Sequence, residues 1–212
     1  MKNIFVKLET INFKEYFLLY ALLNGLFLFL LYGVIADPIA YVGDSPKTIK
    51  FYNVFTTVIY FISPFYEYLK IYLLAKIIQK GIDNILKIKS DAKVIFLIVL
   101  TSQFSMLLAD VVKAVWLLFV QTDLQMHDRK HFTPLSLLNL FERKNITTTY
   151  YYPLKFANVF ELLYWIILSL GIAQLFNTTR KKAFWIVFRT YGFLIVGIML
   201  VKLILNSTFF GF

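Results

Sequence analysis

The chain has 212 residues, of which 59% are hydrophobic and 19% aromatic, with a mean hydropathy of +0.70 and a net charge of +10. A soluble domain is about 45–50% apolar, so little of this chain is left for a soluble catalytic module. The absence of cysteine excludes disulfides, thiolate catalysis and cysteine-ligated metal or cluster sites. The basic residues sit at the ends of apolar segments, where orientation in a membrane accounts for them, and this argues against a nucleic-acid partner.

Five apolar segments follow one another. Each reaches the roughly 20 residues of helix that cross a hydrocarbon core about 30 Å thick. The first runs from about Tyr16 to Ala36 and stops at Asp37-Pro38. It is too long for a cleavable signal and has no small-residue cleavage site after it, so it reads as a retained span. Asn24-Gly25 inside it suits close helix contact. The second runs from about Phe51 to Ile78 and contains Ser63-Pro64. Proline removes a helix hydrogen bond, and a packing kink is expected here in preference to a gating hinge. The third runs from about Val94 to Val120.

A stretch of 35 residues, Gln121 to Lys155, comes next. Within it Thr133 to Phe141 is apolar at helical spacing, which predicts a short interfacial helix at the outer surface. Trp116, Tyr150, Tyr151, Tyr152 and Trp165 fit an aromatic belt at that interface. The fourth segment runs from about Phe156 to Phe176, and the fifth from about Ala183 to Leu205, with Gly192 and Gly197 placed for close contact. Lipid leaves backbone groups no partner outside a helix or a closed barrel, so all five are expected to be helices. The fold expected is one all-α, polytopic membrane domain over residues 1–212, without the internal repeat of many transporters.

The connections differ in charge. Lys2, Lys7 and Lys14, then Lys76, Lys80, Lys87, Lys89 and Lys93, then Arg180, Lys181 and Lys182 fall on one side, against Glu9, Glu15, Asp83 and Asp91. The other side holds Lys47, Lys50, Arg129, Lys130, Arg143, Lys144 and Lys155 against Asp37, Asp44, Asp123, Asp128 and Glu142. Basic residues favour the cytoplasmic face. The N-terminus is therefore expected inside and the C-terminus outside.

Charges inside a span are costly and usually face the bundle interior. Here they are Glu67, Lys70, Asp110, Lys113, Glu161, Arg189 and Lys202. Glu67 lies about 14 Å from Lys76 along its helix, and Arg189 about 9 Å inside the same edge. This depth lets them meet across the second and fifth spans. Asp110, Glu161, Lys113 and Lys202 fall in the outer half as a second cluster. Glu67–Lys70 and Asp110–Lys113 are also spaced i, i+3, which allows pairing along one helix. The favoured reading is ion pairs that fix helix register. The sharper one is a proton or ion path through Glu67 and Asp110.

His127 and His131 are spaced i, i+4 beside Asp123 and Asp128, but the run His127-Asp128-Arg129-Lys130-His131 lacks the glutamate of a zinc-protease motif and adds two cations. A solvated loop is expected, with no metal and no cofactor. Sequons at Asn145, Asn177 and Asn206 are short enough to arise by chance. No phosphate-binding glycine loop and no Ser/His/Asp set is present.

The second half carries a further pattern. Pro134-Leu135-Ser136-Leu137 precedes Asn158-Val159-Phe160-Glu161-Leu162-Leu163-Tyr164-Trp165, then Leu168-Ser169-Leu170-Gly171-Ile172-Ala173. A basic turn follows, Thr179-Arg180-Lys181-Lys182-Ala183, and upstream Tyr72-Leu73-Leu74-Ala75-Lys76 precedes Gly81. Over Phe51 to Leu205 the chain resembles the prokaryotic branch of the Yip family. The resemblance implies five helices with a cytoplasmic N-terminus, and action through bound partners, as in the vesicle traffic of the eukaryotic members. It brings no catalytic residue. The function expected is a non-enzymatic accessory or scaffold subunit that binds membrane lipids and other membrane proteins or its own copies. The alternative is a small transporter or channel that uses the intramembrane acids. Richness in phenylalanine, lysine and asparagine, with the prokaryotic resemblance, points to a bacterial inner membrane.

Overall fold

The described part of every apolar segment of the sequence is helical in the computed structural model, which describes residues 12–31, 46–120, 132–141, 146 and 148–209. The chain is all-α. His127, His131, Asp123, Asp128 and Asn145 lie outside the described residues.

Helix α1 is Phe13–Phe29, capped by Asn12, whose side chain accepts from the Lys14 N–H at 3.2 Å. Helix α2, Pro46–Leu86, spans 41 residues and continues through Pro64. It outruns the Phe51–Ile78 segment because the apolar stripe does not end at Gln79-Lys80-Gly81. Ile78 and Ile82 lie one turn apart on the buried face and are fully enclosed. Helix α3, Ala92–Phe119, is capped by Asp91. Ile95 through Leu100 are buried without a break, so its first turns are enclosed on all sides. It packs against α1, α2 and α5 and is the central helix of the bundle.

The expected interfacial helix is shorter than Thr133–Phe141. It is one 3₁₀ turn, Leu137–Leu140. The segment before it forms a bridge instead: the Leu137 N–H donates to the Ala157 carbonyl at 2.9 Å, and the Val159 N–H to the Leu135 carbonyl at 3.2 Å. Leu135 holds a left-handed φ of 53° to make this docking. Helix α4, Thr148–Phe156, was not anticipated; it lies largely in the stretch between the third and fourth apolar segments and carries Pro153 within it. Helix α5 is Val159–Leu175.

The last segment begins as α6, Arg180–Val187, capped by Thr179. A π-helical turn, Phe188–Gly192, follows, and α7 completes it as Phe193–Phe209. Among the described residues two stretches, Ala92–Phe119 and Arg180–Lys202, are long and apolar enough to cross a membrane, and α5 is a shorter apolar helix.

At one end of the bundle the α2–α3 and α5–α6 connections are short. Asp83 accepts the Ser90 N–H at 2.9 Å and the Ser90 hydroxyl, while Gln79 donates to the Ser90 carbonyl at 2.9 Å. Lys87 and Asn177 take left-handed φ values of 58° and 46° where the helices stop. The core sits toward this end, with Ile71, Ile78, Ile98, Tyr164, Leu168, Ile172 and Ile186 among its members.

Candidate functional site

Two groups of polar side chains lie within the bundle. The first joins α1, α2 and α3. One turn of α2 separates Glu67 from Lys70, and their side chains form an ion pair at 2.5 Å. The hydroxyl of Tyr20, a residue 2% exposed on α1, donates to Glu67 Oε2 at 3.4 Å. Asp110 on α3 lies within electrostatic reach of Glu67 and Lys70 as well as of Lys113 on its own helix.

The second group surrounds Glu161 on α5. Asn158 caps this helix by accepting the Glu161 N–H at 2.8 Å. That cap brings the Glu161 side chain inward, where the residue is only 7% exposed. The Trp165 indole N–H donates to Glu161 Oε1 at 2.9 Å, and Tyr191 of the π turn is its other hydrogen-bond partner. Trp165 in turn packs on Gly192, where an added Cβ would lie 3.0 Å from the ring. The π turn thus presents Tyr191 to the carboxylate and Gly192 to the indole.

Tyr164 stands between the two groups. It is fully enclosed, its ring lies 4.8 Å from that of Tyr191, and it is within electrostatic reach of both Glu161 and Tyr20. Its hydroxyl is buried without a hydrogen-bond partner among the described residues, as is the Ser169 hydroxyl one turn further on. Glu67, Tyr20, Tyr164 and Glu161 therefore form a polar line through the interior, by hydrogen bond between the first two and electrostatic reach between the rest.

Arg189 is not part of that line. It is exposed, and its guanidinium lies over the Trp185 ring at 5.4 Å. Among the described residues the ionic partner of Glu67 is Lys70. The depth argument placed Glu67 and Arg189 at a common level but did not fix which way the arginine faces. Asp110 likewise associates with the first group, while Lys202 shares a cavity with Glu161. Tyr20, Tyr164 and Tyr191 were missed, since aromatic residues are too abundant in this chain for any one to stand out. Trp165 had a signal, its i, i+4 spacing from Glu161.

Two cavities flank Glu161. One, of about 510 Å³, is walled by Leu135, Leu137, Leu162, Trp165 and Phe188 and is almost wholly apolar. The other, of about 350 Å³, is lined also by Met106, Lys155, Ile195, Met199 and Lys202. No cluster of three His, Cys, Asp or Glu side chains able to hold a metal occurs among the described residues. Compared with known proteins, the chain matches no family model, no curated protein and no solved structure.

Proposed function

We propose that this chain is a five-span integral membrane protein that acts as a non-enzymatic, Yip-like accessory or scaffold subunit, in a bacterial inner membrane with its N-terminus cytoplasmic. The observation that carries the reading is the distribution of polarity. Leu18, Leu22, Phe61, Phe65, Phe193 and Val201 are among many large apolar side chains on the outer faces of α1, α2 and α7, with Phe61 83% exposed. Asn24, Ser102, Gln103, Ser105 and Glu161 are buried. A water-soluble surface does not carry apolar patches of that extent, whereas lipid-facing helices do. Several of the interior polar groups are matched, Glu67 by Lys70 and Tyr20, and Glu161 by Trp165, and no metal-binding cluster stands beside them among the described residues. Apolar outer faces are then available to lipid or to the helices of partners. Purification of a tagged copy in mild detergent tests this: a stoichiometric membrane-protein companion supports it, and a lone monodisperse chain counts against it.

The second reading is a small transporter or channel. The polar line from Glu67 through Tyr20 and Tyr164 to Glu161 favours it, because intramembrane acids often mark ion pathways. Proton or ion flux in liposomes that Glu67→Gln or Asp110→Asn abolishes, with folding intact, would establish it.

A further inference from the structure

Basic residues gather at the end of the bundle where α2 turns into α3 and α5 into α6. Lys80 lies near the end of α2, Lys87 and Lys89 in the connection, Lys93 in the first turn of α3, and Arg180, Lys181 and Lys182 in the first turn of α6. All seven are exposed. The two connections are neighbours in space. Gln79 and Asp83 of α2 bond to Ser90 just ahead of α3. A Cβ on Gly81 of α2 would lie 3.8 Å from a methyl group of Ile186 of α6, and Ile82 and Ala183 belong to one buried cluster.

The acids at this end do not balance these charges. Asp83 accepts the Ser90 N–H at 2.9 Å and the Ser90 hydroxyl, and Asp91 accepts the Lys93 N–H at 2.8 Å as the cap of α3. Among the described residues neither forms an ion pair with the seven cations. Helix α1 also begins here, its Phe13 ring 4.8 Å from that of Phe96, and its Lys14 and Glu15 offset each other. Exposed apolar side chains stand among the cations: Ile88 between Lys87 and Lys89, and Phe184 and Trp185 soon after Lys182. Basic tips beside exposed aromatic rings match the boundary between headgroups and acyl chains. A cluster of roughly four to eight Lys or Arg beside a membrane helix is a recognised form of anionic-lipid surface.

We propose that this end of the bundle binds anionic phospholipid headgroups, with Lys87, Lys89, Arg180, Lys181 and Lys182 drawn to the lipid phosphates. The inference rests on the membrane reading, which supplies the lipid. It goes beyond orientation: the bias of basic residues toward one side sets how the chain inserts and asks nothing of the lipid, whereas headgroup binding selects among lipids.

The test uses the full chain in non-ionic detergent, examined by native mass spectrometry. The probes are phosphatidylglycerol, phosphatidylcholine of the same chains, inorganic phosphate and polyglutamate. Retention of phosphatidylglycerol in preference to phosphatidylcholine is expected, weakening as ionic strength rises. A Lys87→Gln/Lys89→Gln/Lys181→Gln/Lys182→Gln variant should bind phosphatidylglycerol about tenfold more weakly or worse, since each removed cation takes away its own attraction. Lys202→Gln, on α7, should leave binding unchanged. Should the fourfold variant not fold, Lys181→Gln/Lys182→Gln carries the test, with a smaller loss in the same direction. Equal retention of the two lipids overturns the proposal, and so does full phosphatidylglycerol preference in the folded variant. Displacement of the lipid by equimolar inorganic phosphate would make this a site for free anions, and tighter binding of polyglutamate would make it a site for an acidic polypeptide; either result overturns it. Alkaline extraction of membranes containing the same chain separates the two ideas. Protein that stays in the membrane but shows no phosphatidylglycerol preference sinks the lipid surface only. Protein released by alkali sinks the membrane reading.

Discussion

Glu161 shows how one side chain ties local structure to packing. Its carboxylate receives the Trp165 indole N–H and the Tyr191 hydroxyl, so Glu161→Ala leaves two half-buried donors without this acceptor. Each costs about 1–3 kcal/mol, and a clear fall in melting temperature in detergent is the expected outcome. Unchanged melting would mean that water or lipid reaches both donors. The glycines give a sharper contrast. A Cβ on Gly81 would run into the Thr190 γ-methyl group, which a branched side chain cannot easily move aside. Gly81→Ala is expected to destabilise by roughly 1–3 kcal/mol. Thr190→Ser, which keeps the hydroxyl bonded to the Ile186 carbonyl at 2.7 Å, should relieve most of that loss in a double-mutant cycle. Gly25 has open space where its Cβ would stand. Gly25→Ala should therefore be neutral or stabilise by up to about 1 kcal/mol, through helix propensity alone. Calorimetric melting of the variants distinguishes these cases. The sequence placed Gly25, Gly192 and Gly197 alike at helix contacts. Only Gly192 has a close neighbour, and Gly81 has one that periodicity could not reveal.

At the scale of elements, four helices start at a capping side chain that the apolar pattern did not mark. Asn12, Asp91, Asn158 and Thr179 each accept a backbone N–H from the first turn. Asn158→Ala should cost about 1 kcal/mol through lost capping. It should also loosen the bridge between Leu135–Leu137 and Ala157–Val159, readable as faster amide exchange at Leu137 and Val159. Unchanged exchange there would separate the cap from the bridge. Helix ends were no more legible. The α2 stripe passes through Gln79 and Lys80 because Gln79 finds a partner at the Ser90 carbonyl and Lys80 stays exposed. The π turn had no sequence signal at all. It is set by contacts from other helices, Gly81 against Thr190 and Trp165 against Gly192. The pairing of Glu67 with Lys70 follows from spacing on one helix. The neighbours of Asp110 and the facing of Arg189 depend on how helices rotate about their axes, which depth counting does not supply.

For the whole molecule, the account turns on one inversion, apolar outer faces around a partly polar interior. The tyrosines and serines of that interior lie between helices that a bilayer would hold together through packing and hydrogen bonds rather than through exclusion of water. In the proposed membrane reading, the lysines at the end where α2, α3, α5 and α6 turn would set that end on the cytoplasmic side. Because the natural chain has no cysteine, single cysteines report topology without background. The most direct test introduces Lys47→Cys, Lys89→Cys, Lys144→Cys and Arg180→Cys separately and adds a membrane-impermeant maleimide to intact cells. The account predicts labelling at positions 47 and 144 in intact cells, and at 89 and 180 only after permeabilisation. Labelling of position 89 or 180 in intact cells, or the same response at all four, would contradict it.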